Sequence, residues 1–265
     1  MALRTQPAPG AVRFRAFSTA NPDAAALVEE PGARRVHFLR HGDALHKERA
    51  AAESAKGKVC RCHDTPPTTD GCPYLDPALM DAALTPAGHA QVRGIAAACG
   101  ARVVLVSPAV RALETAVDAF AGADLPTIVA LEDLRSRVSA HQHTRRHTIT
   151  ELRARFPAAD FSACAVDEDR LWTGAAEPRA AVDARVRGFL RALSARGERD
   201  VAVVTHFTMF LALLNRASDP LVLGVDPDRA DDRAWLDCSG CPVASRLTRL
   251  LGPGELRSLV LVPTM

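Results

Sequence analysis

Short apolar runs alternate with helix-like periodicities along most of this chain. The run Arg35-Val36-His37-Phe38-Leu39 stops abruptly at Arg40-His41-Gly42-Asp43. It is too short for a buried helix, so it predicts a buried strand that delivers a charged pair into a loop. Thr85-Pro86 offers an N-cap with proline in the first helical turn, and the periodicity predicts a helix through His89, Val92 and Ile95 towards Gly100. Residues 102–106 read as a second apolar strand, and Ser107-Pro108 repeats the cap signal ahead of a helix through Leu113 and Val117. A short strand follows near 127–131, then an irregular region rich in Arg and His. Pro178 opens a helix to about Ala195, and Asp200-Val201-Ala202-Val203-Val204-Thr205 is a further buried strand ending at His206. A helix from Phe207 to Asn215 and strand-like runs near 243–250 and 256–262 complete the pattern.

Such alternation predicts an α/β protein, a three-layer α/β/α sandwich around a mostly parallel sheet with inserted cap loops. Residues 1–33 are expected to form an N-terminal extension, flexible or targeting, ahead of one domain over 34–265. Insertions are expected near 44–81, where Pro66-Pro67, Gly71 and Pro73 interrupt a polar stretch, and near 135–175.

Composition narrows the function classes. At 265 residues, 48% hydrophobic and 24% charged, the chain can bury a large core. A net charge of +2 is too mild to imply nucleic acid or a membrane surface as partner. The longest apolar run, 201–214, is broken by Thr205, His206 and Thr208 and is too short to span a bilayer. Seven cysteines cannot all pair, which suits a reducing, cytoplasmic setting. The acid-free, Arg- and Ala-containing start of the chain offers an organellar transit segment as the alternative.

Three predicted strands finish at chemically suggestive residues: Arg40-His41, Ser107 with Arg111 one turn into its helix, and His206. In a parallel sheet these ends lie along one edge, where open α/β sheets bind ligands. Two arginines and two histidines converging there make a pocket for a dianion, because guanidinium donates paired hydrogen bonds to phosphate oxygens.

The stretches Leu39-Arg40-His41-Gly42, Ser107-Pro108-Ala109-Val110-Arg111-Ala112-Leu113-Glu114-Thr115-Ala116 and Val203-Val204-Thr205-His206 resemble the histidine phosphatase superfamily, the group that contains phosphoglycerate mutases and many small-molecule phosphatases. The segment from Arg145-Arg146 through Glu151-Leu152 to Phe156-Pro157 and Asp160-Phe161-Ser162 is similar to a mutase-like branch. The resemblance implies that unprotonated His41 attacks phosphorus in line and forms a phosphohistidine that water hydrolyses, while Arg40, Arg111 and His206 hold the equatorial oxygens. It implies a small phosphorylated substrate and requires no metal or cofactor.

Some positions depart from the family's pattern. Ser136 stands where a glutamate usually serves as general acid, which leaves Glu132, or Asp133 beside it, as the expected substitute. Lys47 replaces the usual asparagine and Phe207 the usual small residue. Lys47, Ser107, Arg145, Arg146 and Phe207 are the candidate substrate-binding residues. The expected activity is hydrolysis of a small phosphate ester; a catalytically impaired anion-binding protein and mutase-like phosphoryl transfer are the alternatives. Cys60-Arg61-Cys62-His63 with Cys72, plus Cys238-Ser239-Gly240-Cys241, could supply ligands for one zinc, pair, or stay reduced. His141, His143 and His147 beside two arginines read as a basic rim rather than a metal site.

Overall fold

A computed structural model describes residues 13–19, 23–58, 60, 71–121, 126–214 and 252–264. Its described residues form a seven-stranded sheet of order β1-β7-β2-β6-β3-β4-β5. The parallel body consists of β2 (Arg34–Arg40), β6 (Asp200–Thr205), β3 (Val103–Val106), β4 (Thr127–Ala130) and β5 (Ala159–Asp160). Strands β7 (Leu256–Thr264) and β1 (Arg13–Ser18) complete one edge in antiparallel fashion.

Consecutive apolar residues in the central strands explain the layering, because side chains alternate between faces. Phe38, Val201 and Val203 point into a core shared with α6 (Arg179–Ser194) and α7 (Phe207–Leu214), where Phe189, Leu193 and Phe210 are buried. Leu39, Ala202 and Val204 point the other way, against Leu113 and Ala116 of α4 (Val110–Ala119) and Ile149 and Leu152 of α5 (Ile149–Arg155). A strand apolar at every position thus has a helix to cover each face, and the three-layer α/β/α architecture follows. Among the described residues no helix is long and apolar enough to cross a membrane.

Several boundaries differ from expectation. Residues 13–33 are not an extension: β1 pairs along β7 with Phe14 fully buried, and Ala24 and Val28 of α1 (Ala24–Val28) pack on Val260 and Val262. Phe14 and Ala16 alternate with Arg13 and Arg15, an edge-strand signal that the arginine-rich composition masked. Helix α3 (Pro86–Val92) ends well before Gly100, since Arg93 leaves the helical region and Gly94 follows it at φ +71°. The run near 243–250 lies outside the described residues. Part of the insertion after β2 is helical, as α2 (Leu45–Ser54), and closes with short 3-10 turns at Pro73–Leu75 and Pro77–Leu79.

The loop leaving β2 is clamped from several sides. His41 N donates to Thr205 O at 3.1 Å, Gly42 N to Thr115 Oγ1 at 3.1 Å, and Thr85 N to Asp43 O at 2.9 Å. Thr85 also caps α3 through a hydrogen bond from Gly88 N to its Oγ1. Loop and helix approach so closely that a Cβ on Gly88 would lie 2.0 Å from Asp43 O, and one on Gly42 2.7 Å from Gly88 O. Both partners are backbone, so relief requires the loop itself to shift. Gly88→Ala is therefore expected to cost at least about 1–3 kcal/mol by overpacking, lowering the thermal midpoint by about 2–4 °C per kcal/mol. Gly197→Ala, with nothing within 4 Å of the new methyl group, should leave the midpoint unchanged. Equal midpoints for the two variants would refute the close-approach argument.

Candidate active site

The C-terminal ends of β2, β6 and β3 lie side by side, with Arg40 opposite Thr205 and Val106 opposite Val204. His41, Ser107 and His206, each one residue beyond its strand, are consequently gathered at one edge, and all are buried.

His41 Nδ1 lies 2.8 Å from Gly42 O. A carbonyl can only accept, so Nδ1 carries the hydrogen and the lone pair is left on Nε2. Burial, and then the nearby charge of Arg111, hold the His41 pKa well below the ordinary histidine value, so this ring is neutral at pH 7.

Arg111, on the first turn of α4, is only 2% exposed. It donates from one terminal nitrogen to His143 O at 2.9 Å and from the other to His206 Nδ1 at 3.2 Å. His206 Nδ1 therefore accepts, and its Nε2–H donates to Ser107 Oγ at 2.9 Å. Burial pulls the Arg111 pKa down to about 10, opposed by the charge of Asp81. Asp81, at φ +44°, accepts from Val110 N at 2.9 Å and His147 N at 3.1 Å. It, and not Ser107 alone, caps α4 and fixes the turn that carries Arg111. The guanidinium of Arg40 lies 5.6 Å over the ring of Phe207, so the large residue after the second histidine serves as a platform for that arginine. Lys47 projects from α2 as an exposed residue, and its pKa is lowered by partial burial and then by Arg40.

Two further histidines complete the pocket. His46 of α2 stacks on His143 at 4.2 Å and 10°, and lies 6.1 Å from the His41 ring; His41 and His206 are 5.1 Å apart. Burial and neighbouring positive groups lower the pKa of His46 and His143 as well. His143 thus belongs to a neutral imidazole stack and not to a basic rim. Arg111 Nε and the Nδ1 atoms of His46 and His143 are buried with no hydrogen-bond partner among the described residues. Such orphaned polar atoms around fixed guanidinium charge are what a ligand with several acceptor oxygens would satisfy. Short-range sequence patterns do not reveal His46, His143 or Asp81 because their partners are far off along the chain, as with Asp81 to Val110, |i−j| = 29, and Arg111 to His143, |i−j| = 32.

Other expected residues are occupied elsewhere. Arg146 gives all of its N–H groups to the protein: Nε to Glu132 at 2.6 Å, and the terminal nitrogens to the carbonyls of Val166, Asp167, His147 and Glu168. No donor is left for a substrate, which corrects the expectation that it binds one. Glu132 has one oxygen on Arg146 at 2.6 Å and the other on Arg135 at 3.2 Å, an arrangement that ties its carboxylate to the fold. Asp133 points to α6, where its carboxylate fills the space beside Gly188. Ser136 shares a 2.9 Å hydrogen bond with Thr208 Oγ1, and Arg145 stacks 5.1 Å over Trp172.

Several proteins of known sequence or structure resemble this chain. A profile of the histidine phosphatase superfamily (branch 1) matches residues 78–239. The chain is 29% identical over 217 residues to a phosphoglycerate mutase-like protein of Arabidopsis thaliana, a match covering 68% of this chain and 73% of the relative. It is similar in structure to the ecdysone phosphate phosphatase of Bombix mori, solved with tungstate, at TM-score 0.45 and 18% identity over 85% of this chain and 88% of that one. A phosphoglycerate mutase from Thermus thermophilus aligns at TM-score 0.41 and 20% identity, covering 88% of this chain and 99% of the other.

The lowered pKa values of His41, His46 and His206 have a consequence for stability. Below the ordinary value of about 6.5 the unfolded chain binds protons that the folded site refuses, so stability is full above that pH and is lost as pH falls. Each ring contributes up to about 1.4 kcal/mol per pH unit in that window. The urea midpoint should fall between about pH 6.5 and about pH 5.5, and His46→Gln should make the decline shallower. A midpoint that stays level or rises on acidification would show that these rings are not buried in neutral form.

Proposed function

The chain belongs to the histidine phosphatase superfamily, and from that premise we propose that it hydrolyses a small phosphate monoester through a phosphohistidine at His41. The observation that carries this reading is the hydrogen bond from His41 Nδ1 to Gly42 O, which leaves a neutral Nε2 lone pair beside Arg111 and His206. In the proposed reaction Nε2 attacks phosphorus, the P–O bond to the leaving group breaks, and Arg40 and Arg111 stabilise the negative charge spreading over the equatorial oxygens. His206 holds Arg111 and Ser107 in place, and the hydroxyl hydrogen of Ser107 is left to donate to a phosphoryl oxygen. Water then attacks the phosphohistidine and restores His41.

The leaving oxygen needs a proton, and Glu132, Asp133 and Ser136 are engaged elsewhere. We assign that proton to the His46–His143 stack. Burial and neighbouring positive groups lower the pKa of both rings, and a bound dianion would favour their protonated form. Mutase-like transfer, which must return the phosphoryl group with a full acid/base set, is less well served by this arrangement. The Ser136–Thr208 pairing at the family's acid position favours one second reading, an anion-binding protein with no turnover.

Rapid quenching with labelled substrate should yield an acid-labile, base-stable adduct on His41, and His41→Ala should abolish both adduct and turnover. A label on another residue, or turnover that survives in His41→Ala, would defeat the proposal. Vanadate binding without hydrolysis of any ester would favour the binding-protein reading instead. For the acid, His143→Gln should slow alkyl phosphate cleavage by up to about 10²–10⁴ while largely sparing an aryl phosphate whose leaving group needs no proton. An equal loss on both esters would mean that His143 shapes the pocket without delivering a proton.

A further inference from the structure

Outside the phosphate-facing edge, three metal-ligating side chains from distant parts of the chain meet at one point. Cys60 Sγ lies 3.5 Å and Cys72 Sγ 3.8 Å from the same atom, Nε2 of His141, and the three ligand atoms all lie within 4.8 Å of one another. Cys72 and His141 are buried, and neither cysteine is in a disulfide.

We propose that Cys60, Cys72 and His141 form a binding site for a borderline-soft divalent cation of the zinc type. Tetrahedral coordination with Zn–S about 2.3 Å and Zn–N about 2.0–2.1 Å sets sulfur and nitrogen ligands about 3.6 Å apart. The observed separations of 3.5 and 3.8 Å fall on that edge length. Hydrogen bonding alone accounts poorly for the cluster, since Nε2 has a single in-plane lone pair and cannot accept from two thiols that converge on it. Two thiolates with one imidazole select zinc-like ions over magnesium or calcium, which take oxygen ligands. Three protein ligands leave the fourth corner for a further donor such as water.

The site lies where a clamp would act on the pocket. Cys60 and Cys72 belong to the insertion after β2, and His141 leads the 3-10 turn Gln142–Thr144, which carries His143. Tyr74, two residues from Cys72, packs 5.0 Å from the His141 ring and 5.1 Å from that of His143. The carbonyl of His143 in turn accepts from Arg111. A metal held here would tie the insertion to the wall of the pocket without touching substrate. This inference rests on the Cys–His geometry and not on the phosphatase reading.

The test uses the full chain purified under reducing conditions. Elemental analysis, or reconstitution with Zn²⁺ or Co²⁺, should give about one equivalent per chain, and the Co²⁺ form should show thiolate charge-transfer absorption. Cys99→Ser and Cys164→Ser should bind like the parent. Cys60→Ser, Cys72→Ser and His141→Gln should bind far more weakly. In the parent, Zn²⁺ should protect Cys60 and Cys72 from alkylation relative to chelator-treated protein, a readout that holds even if a variant fails to fold. No binding of either ion, binding that survives in the Cys60→Ser/Cys72→Ser double variant, or alkylation of both thiols at the same rate with and without Zn²⁺ would overturn the site.

Discussion

A guanidinium buried at the first turn of α4 sets the terms for this molecule. Removing a cation from water costs several kcal/mol unless its donors and its charge are met. Arg111 is met by a backbone carbonyl from His143, a ring nitrogen of His206 and the nearby charge of Asp81. Each of these fixes something further: His143 is held under His46, His206 is locked in the tautomer that reaches Ser107, and Asp81 closes the start of the helix. One charge is thus satisfied jointly by His206 at the end of β6, Asp81 ahead of α3 and the 141–144 turn.

The chain uses arginine in two distinct ways, which composition does not distinguish. Arg40 and Arg111 present charge to the strand ends. Arg135, Arg146 and Arg185 act as internal cross-links in the segment from the end of β4 to α6. Arg135 grips Asp169 in a two-pronged pair at 2.6 and 2.7 Å, and Arg185 does the same with Glu177 at 2.8 and 2.7 Å. Planar guanidinium suits both uses, since it forms fixed forks with carboxylates and carbonyls as readily as with phosphate. An Arg-His-rich stretch therefore reads as a binding surface in sequence although much of it is interior.

The sheet body and the three strand ends were legible because buried parallel strands leave unbroken apolar runs and because His41, Ser107 and His206 each follow such a run directly. What escaped the sequence depends on local turns and on contacts between distant segments, neither of which leaves a periodic pattern. Glu132 looked like a substitute acid by proximity to Ser136, yet a 3-10 turn at Glu132–Leu134 directs it to Arg135 and Arg146. His46 and His143 carry no shared motif and are joined by stacking alone. The N-terminal strand was hidden by its arginines, and its antiparallel place beside β7 depends on a partner near the other end of the chain.

The register of the central strands imposes a rule on chain length rather than on residue identity. Arg40 is level with Thr205, which sets His41 beside His206, and Val106 is level with Val204, which sets Ser107 one residue lower, beside Thr205. Because neighbouring strand residues face opposite sides, losing or gaining one residue within β2, β3 or β6 would exchange core faces and retract or overshoot a site residue by about 3.3 Å. The number of residues between the paired body of each strand and its site residue is therefore a constraint as strict as the identity of the site residue itself.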